Sequence, residues 1–381
     1  MPKKPLIQKR QAEKLVQKHG SPLYVYRKSV VEDRYQTLQR AFTYPHTKIY
    51  YACKANTHIG ILETLKRRDA GLECTSRGEV EQALKAGFSP NRISYTCSNI
   101  TQEELHWVMR KGITVHLDSL RQLSWWGAAR PNSKVSLRIN RNFGAGGNNH
   151  LITGGAESKF GIYYTHIPEA LRIAKKYNLT VVGMHQHVGS SILTQKTFTH
   201  ALRLILESAE HLPDLEFIDV GGGFGIPYQP GDTPLDIRKL GKEASEIFSR
   251  FCTAYGRRLD LWLEPGRYIV AEAGALLVTV TDIKTTPKHI FCGVNSGLNH
   301  LIRPMMYDSY HHIFNLSRPH AEKHKITVVG NVCETDTFAD KRSIPLPRVG
   351  DILLIADAGA YGYVMSSNYH LRAKPKEILL P

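Results

Sequence analysis

The chain has 381 residues, 42% apolar and 22% charged, with 30 Gly and 19 Pro. At roughly 150 residues per domain this predicts two or three domains, one of which can be a large α/β barrel. Collagen-like, mucin-like and long disordered chains are excluded by composition, and no run of ~18 uncharged apolar residues predicts a transmembrane helix. Fifty Lys and Arg against 34 Asp and Glu give a net charge of +16.

The first 18 residues carry six Lys/Arg and one Glu but no apolar h-region, so they read as a surface helix rather than a secretory signal. The cysteines, at 53, 74, 97, 252, 292 and 333, form no C-x-x-C pair, which predicts free thiols in a reducing cytoplasm. Between Ser119 and Ala156 there is no acid, while Arg121, Arg130, Lys134, Arg138 and Arg141 are present. Such a stretch predicts a basic surface. No zinc-finger or RNA-reading aromatic signature accompanies it, so no specific nucleic-acid partner and no membrane partner is expected.

From residue 48 onward β-branched or aromatic runs alternate with amphipathic stretches. The strands are predicted at 48–54, 72–76, 92–97, 114–119, 134–140, 180–189, 216–223 and 259–265. Helical spacing of apolar residues marks the runs beginning at Ile59, Gly78, Thr101, Ile167 and Lys196. Eight strands with crossover helices predict an α/β fold, a TIM-like (β/α)8 barrel, with a doubly wound open sheet as the alternative. After Arg267 strand-like runs follow without long helices. The expected division is a barrel over 27–270 and a second, mainly β, β-barrel-like domain from 1–26 plus 271–381.

In such a barrel, chemistry sits at the C-terminal strand ends. Lys54 ends the first run, in YYACKAN, where apolar neighbours would favour the neutral, nucleophilic amine. A lysine snorkelling at a strand end is the plainer reading. His185 and His187 flank Gln186, an i, i+2 pair expected to point the same way. They read as a metal pair, a histidine facing a cofactor ring, or a hydrogen-bonded core histidine, and the metal reading is the weakest because no third ligand stands nearby. Gly221, Gly222 and Gly223 offer backbone N–H groups to an anion, or only a tight turn. Glu264 and Arg267, in EPGR, place a carboxylate and a cation at the mouth, or form a salt bridge. An amine, an imidazole, a phosphate cradle and a carboxylate are what pyridoxal phosphate requires.

These motifs, from YYACKAN to DAGAYGYVMSSNY, resemble those of the fold-type III pyridoxal-phosphate decarboxylases, especially the branch acting on diaminopimelate. The resemblance implies that Lys54 carries the cofactor, His187 stacks on its ring, Ser190 with Gly221, Gly222 and Gly223 serves the phosphate, and Glu264 meets the ring nitrogen. It places Arg267 and Tyr361 at both cofactor and substrate. ESKFGI (157–162) matches the family as well. Arg303 and Tyr307 of LIRPMMYDSYH would bind a distal carboxylate, and Glu334 a distal ammonium. Cys333, or Lys54, would return the proton after carbon dioxide leaves. In relatives the Cys–Glu segment reaches the other subunit, so the resemblance implies a homodimer with a shared active site.

The implied reaction converts meso-2,6-diaminopimelate to L-lysine. Rivals are decarboxylation of ornithine, lysine, arginine or a siderophore precursor, a racemase, and a non-catalytic pyridoxal-phosphate carrier. A diamine-forming enzyme has no use for Arg303. The family's usual C-E-S-G-D reads Cys333-Glu334-Thr335-Asp336-Thr337 here, and Asn295, Ser296 and His300 depart from the usual segment before the Arg-Pro pair. Both departures are expected to touch the substrate side.

Overall fold

Eight parallel strands close on themselves between residues 47 and 263. The computed structural model describes residues 3–147 and 151–381. The chain opens with α1 (Lys9–His19), β1 (Leu23–Arg27) and α2 (Lys28–Ala41). Then come β2 (Thr47–Ala52), α3 (Ile59–Arg67), β3 (Gly71–Cys74), α4 (Arg77–Lys85), β4 (Ile93–Tyr95), α5 (Gln102–Arg110), β5 (Thr114–Leu117), α6 (Leu120–Ala129) and β6 (Lys134–Asn140). A two-residue β7 (Ile162–Tyr163) hangs on β6, followed by α7 (Ile167–Lys176), β8 (Thr180–His185), α8 (Gln195–Ala209), β9 (Phe217–Asp219), α9 (Ile237–Tyr255) and β10 (Asp260–Leu263). β10 pairs with β2 and β5 with β6, so the parallel sheet has no free edge and the open-sheet alternative is overturned.

Local chemistry explains why the helices start where they do. Ser76, Thr101, Ser119 and Asp236 accept N–H bonds from Glu79, Glu104, Gln122 and Lys239, capping α4, α5, α6 and α9. Inside the barrel, the rings of Tyr50, Trp262 and Phe217 stack at 4.4 and 3.9 Å. Gly183 and Gly71 leave room for this stack: a Cβ at either would lie 2.2 Å from the Phe217 ring or 2.4 Å from the Tyr50 ring. Nearer the strand ends the interior turns polar, with Glu73, Ser94, His116, Ser136, Arg138, His185, Asp219 and Glu264 all buried.

The second compact unit gathers residues 1–31, 227–233 and 267–381; the barrel holds 32–226 and 234–266. It contains α10 (Arg267–Val270), β11 (Gly274–Thr285), β12 (Ile290–Val294), α11 (Arg303–Tyr307), β13 (Ile313–Asn315), β14 (Lys323–Val329), β15 (Thr337–Pro345), β16 (Ile352–Ile355) and β17 (Lys376–Leu380). β11 pairs with β1 and β16 along its first half and with β12 along its second, across a bulge between Val280 and Asp282. Its core includes Ile7, Leu23, Val25, Leu277 and Leu354.

The predicted basic surface over 119–156 forms only in part: Arg121, Arg130 and Lys134 are exposed, but several of its cations are paired or buried. Arg138 is buried against Asp118 at 3.0 Å, and Lys134 and Arg141 pair with Glu216 and Glu207. Arg130 donates to the Met109 carbonyl and Arg121 lies over Trp125. The missing acids are supplied by other parts of the chain.

Candidate active site

The barrel group begins with Lys54, in a single 3-10 turn (Cys53–Ala55) directly after β2. Its Nζ lies 2.5 Å from Glu73 Oε2, at the end of the neighbouring β3. The amine is thus held by a buried carboxylate, not by the apolar surroundings its sequence neighbours suggested. Burial pushes the Glu73 carboxyl up to about 7 despite the pull of Lys54.

Strand β8 stops at His185, so the two-residue alternation does not carry to His187, and the two histidines take different partners. His185 Nε2 meets Glu264 Oε2 at 3.1 Å. His187 Nδ1 accepts the Gly222 N–H at 3.2 Å, which leaves its proton on Nε2. Burial holds both rings well below the usual histidine range, so both are neutral. Glu264 follows β10; its second oxygen, Oε1, is buried and takes no partner among the described residues.

The glycine run departs from the expected open cradle. Gly221 N–H is taken by Asp219 Oδ1 at 2.8 Å and Gly222 N–H by His187, leaving the Gly223 amide. Gly221 and Gly223 have φ of +71° and +101°, and a Cβ at Gly222 would lie 2.1 Å from the Glu264 carbonyl, so each must be glycine. Ser190 sits across the same loops, its N–H on Leu151 O. The ESKFGI segment clamps Arg138: Phe160 lies 4.7 Å beneath the guanidinium, and Gly161 N–H donates to Asp118.

The β unit holds a second group. Arg267 and Arg303, both buried, each donate from a guanidinium nitrogen to the Tyr228 hydroxyl, at 3.2 and 3.1 Å. Arg303 also reaches Ser309 Oγ and His311 Nε2, both at 3.3 Å. His311 gives its Nδ1 proton to Ala356 O, so Nε2 accepts. Burial lowers the Arg303 pKa from its ordinary value. Tyr361 lies under Arg267 at 4.8 Å, with a left-handed φ of +57°. Tyr307 ends the short α11 that Arg303 begins.

Cys333 is exposed, as is Glu334, whose carboxylate takes a hydrogen bond from the Tyr369 hydroxyl. Asp336 turns inward and accepts the Leu298 N–H at 3.1 Å. Asn295 bonds Thr279 N and Ser21 O, and Ser296 and His300 bond each other, with His300 Nε2 on Ala373 O. These departures from the family pattern make their hydrogen bonds within the loops of the β unit.

Sequence reasoning missed Glu73, His116, Asp118, Arg138, Asp219, Tyr228 and His311. The available signal was polar residues inside apolar strand runs, as in GLEC and TVHL.

Comparison with known proteins agrees with this chemistry. The family model described as "Pyridoxal-dependent decarboxylase, pyridoxal binding domain" matches residues 28–271. The chain belongs to the pyridoxal-dependent decarboxylases. A diaminopimelate decarboxylase of Methanothermobacter thermautotrophicus is 40% identical over 380 residues, covering 97% of this chain and 89% of that relative. One from Buchnera aphidicola subsp. Acyrthosiphon pisum is 37% identical over 386 residues, covering 96% and 90%. The crystal structure of diaminopimelate decarboxylase from Helicobacter pylori complexed with L-lysine matches with a TM-score of 0.89 at 31% identity, covering 97% of this chain and 94% of that one. Within its class, the chain belongs with the diaminopimelate decarboxylases.

Proposed function

We propose that this chain removes carbon dioxide from the D-centre of meso-2,6-diaminopimelate and releases L-lysine. The observation that carries the reading is the meeting of Arg267 and Arg303 at the Tyr228 hydroxyl, a buried double cation suited to a distal carboxylate. The full-length similarity to diaminopimelate decarboxylases, one of them solved with L-lysine, supports it.

The barrel residues fit pyridoxal phosphate. The unpartnered Glu264 Oε1 suits a protonated ring nitrogen, and the Gly223 amide with Ser190 suits the phosphate. When bound, the cofactor supplies an electron-withdrawing ring that takes up the electron pair left by departing carbon dioxide. Lys54 would hold its aldehyde group, and Glu73 would hold or accept the proton of the Lys54 amine. His187 would pack against the ring face. Tyr307 and Tyr361 complete the anion site with the two arginines, and Glu334 binds the distal ammonium. Cys333 returns a proton to the α-carbon.

Two copies of the chain share each site in this reading. Cys333 and Glu334 lie on an exposed loop whose Glu334 takes a hydrogen bond from the Tyr369 hydroxyl and whose neighbouring Thr337 N–H meets Met305 Sδ, and Met305, Met306, Tyr369 and Leu371 are large apolar side chains left in solvent. Among the described residues no helix is long and apolar enough to cross a membrane; separately, in this reading the enzyme works in the cytoplasm, on a free amino acid.

Carbon dioxide release from meso-, LL- and DD-diaminopimelate, L- and D-lysine, ornithine and arginine tests the assignment. The meso compound should be preferred; preference for lysine or ornithine would defeat the distal-carboxylate reading.

A further inference from the structure

Behind Glu264 lies a set of buried titratable side chains whose hydrogen bonds are half made. His185 Nε2 bonds Glu264 Oε2, and the His185 ring stacks on His116 at 4.6 Å. His116 Nδ1 meets Ser136 Oγ at 2.8 Å, and its Nε2 faces Asp219 Oδ2 at 3.7 Å. The nearest ligating atoms of His116, Asp219 and Glu264 lie within 4.8 Å of one another. All four side chains are buried, His116 Nε2 and His185 Nδ1 take no partner among the described residues, and the Asp219 carboxyl meets that of Glu264. The strands bring them together: β8 and β9 set His185 opposite Asp219, and β5 and β6 set His116 opposite Ser136.

Two carboxyls this close in a dry interior do not both carry charge. Burial and the neighbouring Glu264 raise the Asp219 carboxyl well above the usual range. Burial lowers both histidines. The other charges of this polar layer are matched, Lys54 with Glu73 and Arg138 with Asp118.

We propose that His185, Asp219 and His116 are positioning residues that hold Glu264 as the single anion facing the pyridine nitrogen. His185 donates from Nε2 to Oε2, Asp219 carries the proton the carboxyl pair shares, and His116 packs the His185 ring in place. The inference rests on the reading that Glu264 meets the ring nitrogen.

The test reconstitutes apoprotein with pyridoxal phosphate and with 1-deazapyridoxal phosphate, whose ring has C–H in place of the nitrogen, and measures affinity for each. A hydrogen bond to a charged group is worth enough that His185→Phe and Asp219→Ala should weaken the natural cofactor about 10- to 100-fold. Neither should weaken the deaza analogue. His185→Gln, which keeps a donor, should recover most of the loss. Asp219→Asn, which mimics the protonated acid, should stay within about threefold of wild type on the same scale. Equal loss for both cofactors in His185→Phe means a merely structural role and overturns the proposal. So does Asp219→Asn behaving like Asp219→Ala, a comparison that decides the matter even if His185→Phe fails to fold. Glu264→Gln is the control: if it weakens both cofactors equally, the assignment of Glu264 itself has failed.

Discussion

Glu73 ties the site to pH. Its carboxyl, pushed up to about 7 in the fold, titrates near 4.3 when unfolded. Between those values the folded chain binds a proton that the unfolded chain has lost, so stability falls as pH rises through this window. Relative to wild type, the apoprotein of Glu73→Gln should therefore gain Tm as pH goes from about 5 to about 7. A flat difference in Tm across that range sinks the assignment. Arg303 makes a different prediction. Losing one member of a buried charged pair costs on the order of 2–5 kcal/mol, so Arg303→Ala should lose roughly 10²–10³ in kcat/KM for diaminopimelate. Its cofactor affinity should hardly change, and the gap between diaminopimelate and lysine should narrow. Lys54 and Glu264 stood out in the sequence because each follows an apolar run, and His187 because it forms an i, i+2 pair with His185. Glu73, His116 and Asp219 did not, because a polar residue inside a short strand has no visible partner until the barrel closes. Tyr228 was hidden for the same reason: its two arginines are 39 and 75 residues away.

Among the elements, the eight strand runs were legible because a parallel barrel buries each strand among neighbours and selects continuous apolar sequence. The 19-residue α9 was not. Its polar face is broad, and Gly241 interrupts it where a Cβ would lie 2.3 Å from the Ala41 carbonyl, a packing reason no periodicity reveals. Glycines within the barrel unit should answer to substitution in opposite directions. Gly183→Ala drives a methyl into the stacked Phe217 ring and should cost about 1–3 kcal/mol. Gly78→Ala, in α4 with only Ser76 Oγ near, at 3.9 Å, should stabilise by roughly 0.5–1 kcal/mol. Thermal melts of the two variants give the signs directly.

At the scale of the whole molecule, the shared-site reading predicts complementation. Lys54→Ala and Cys333→Ala should each be inactive. Random reassortment of equal amounts leaves half the dimers mixed, with one intact site each, so about a quarter of wild-type activity should return. No recovery, with subunit exchange demonstrated by labelled chains, rules the arrangement out. The mainly β character of the second unit was legible, since long helices vanish from the sequence after Arg267. That residues 227–233 group with the β unit was not, because seven loop residues carry no pattern.

The pairing of β1 with both β11 and β17 sets an order on synthesis. A nascent chain leaves the ribosome N-terminus first, so β1 emerges some 250 residues before β11 and some 350 before its parallel partner β17, matched from Leu23↔Lys376 to Arg27↔Leu380. Every barrel residue has been made by Gly266, so the barrel can close on the ribosome while β1 waits with both edges bare. Strand β17 then covers the second edge of β1. A chain stopped short of Lys376 yields a folded barrel and a β unit in which β1 keeps an open edge, and quality control should read that edge as unfinished protein.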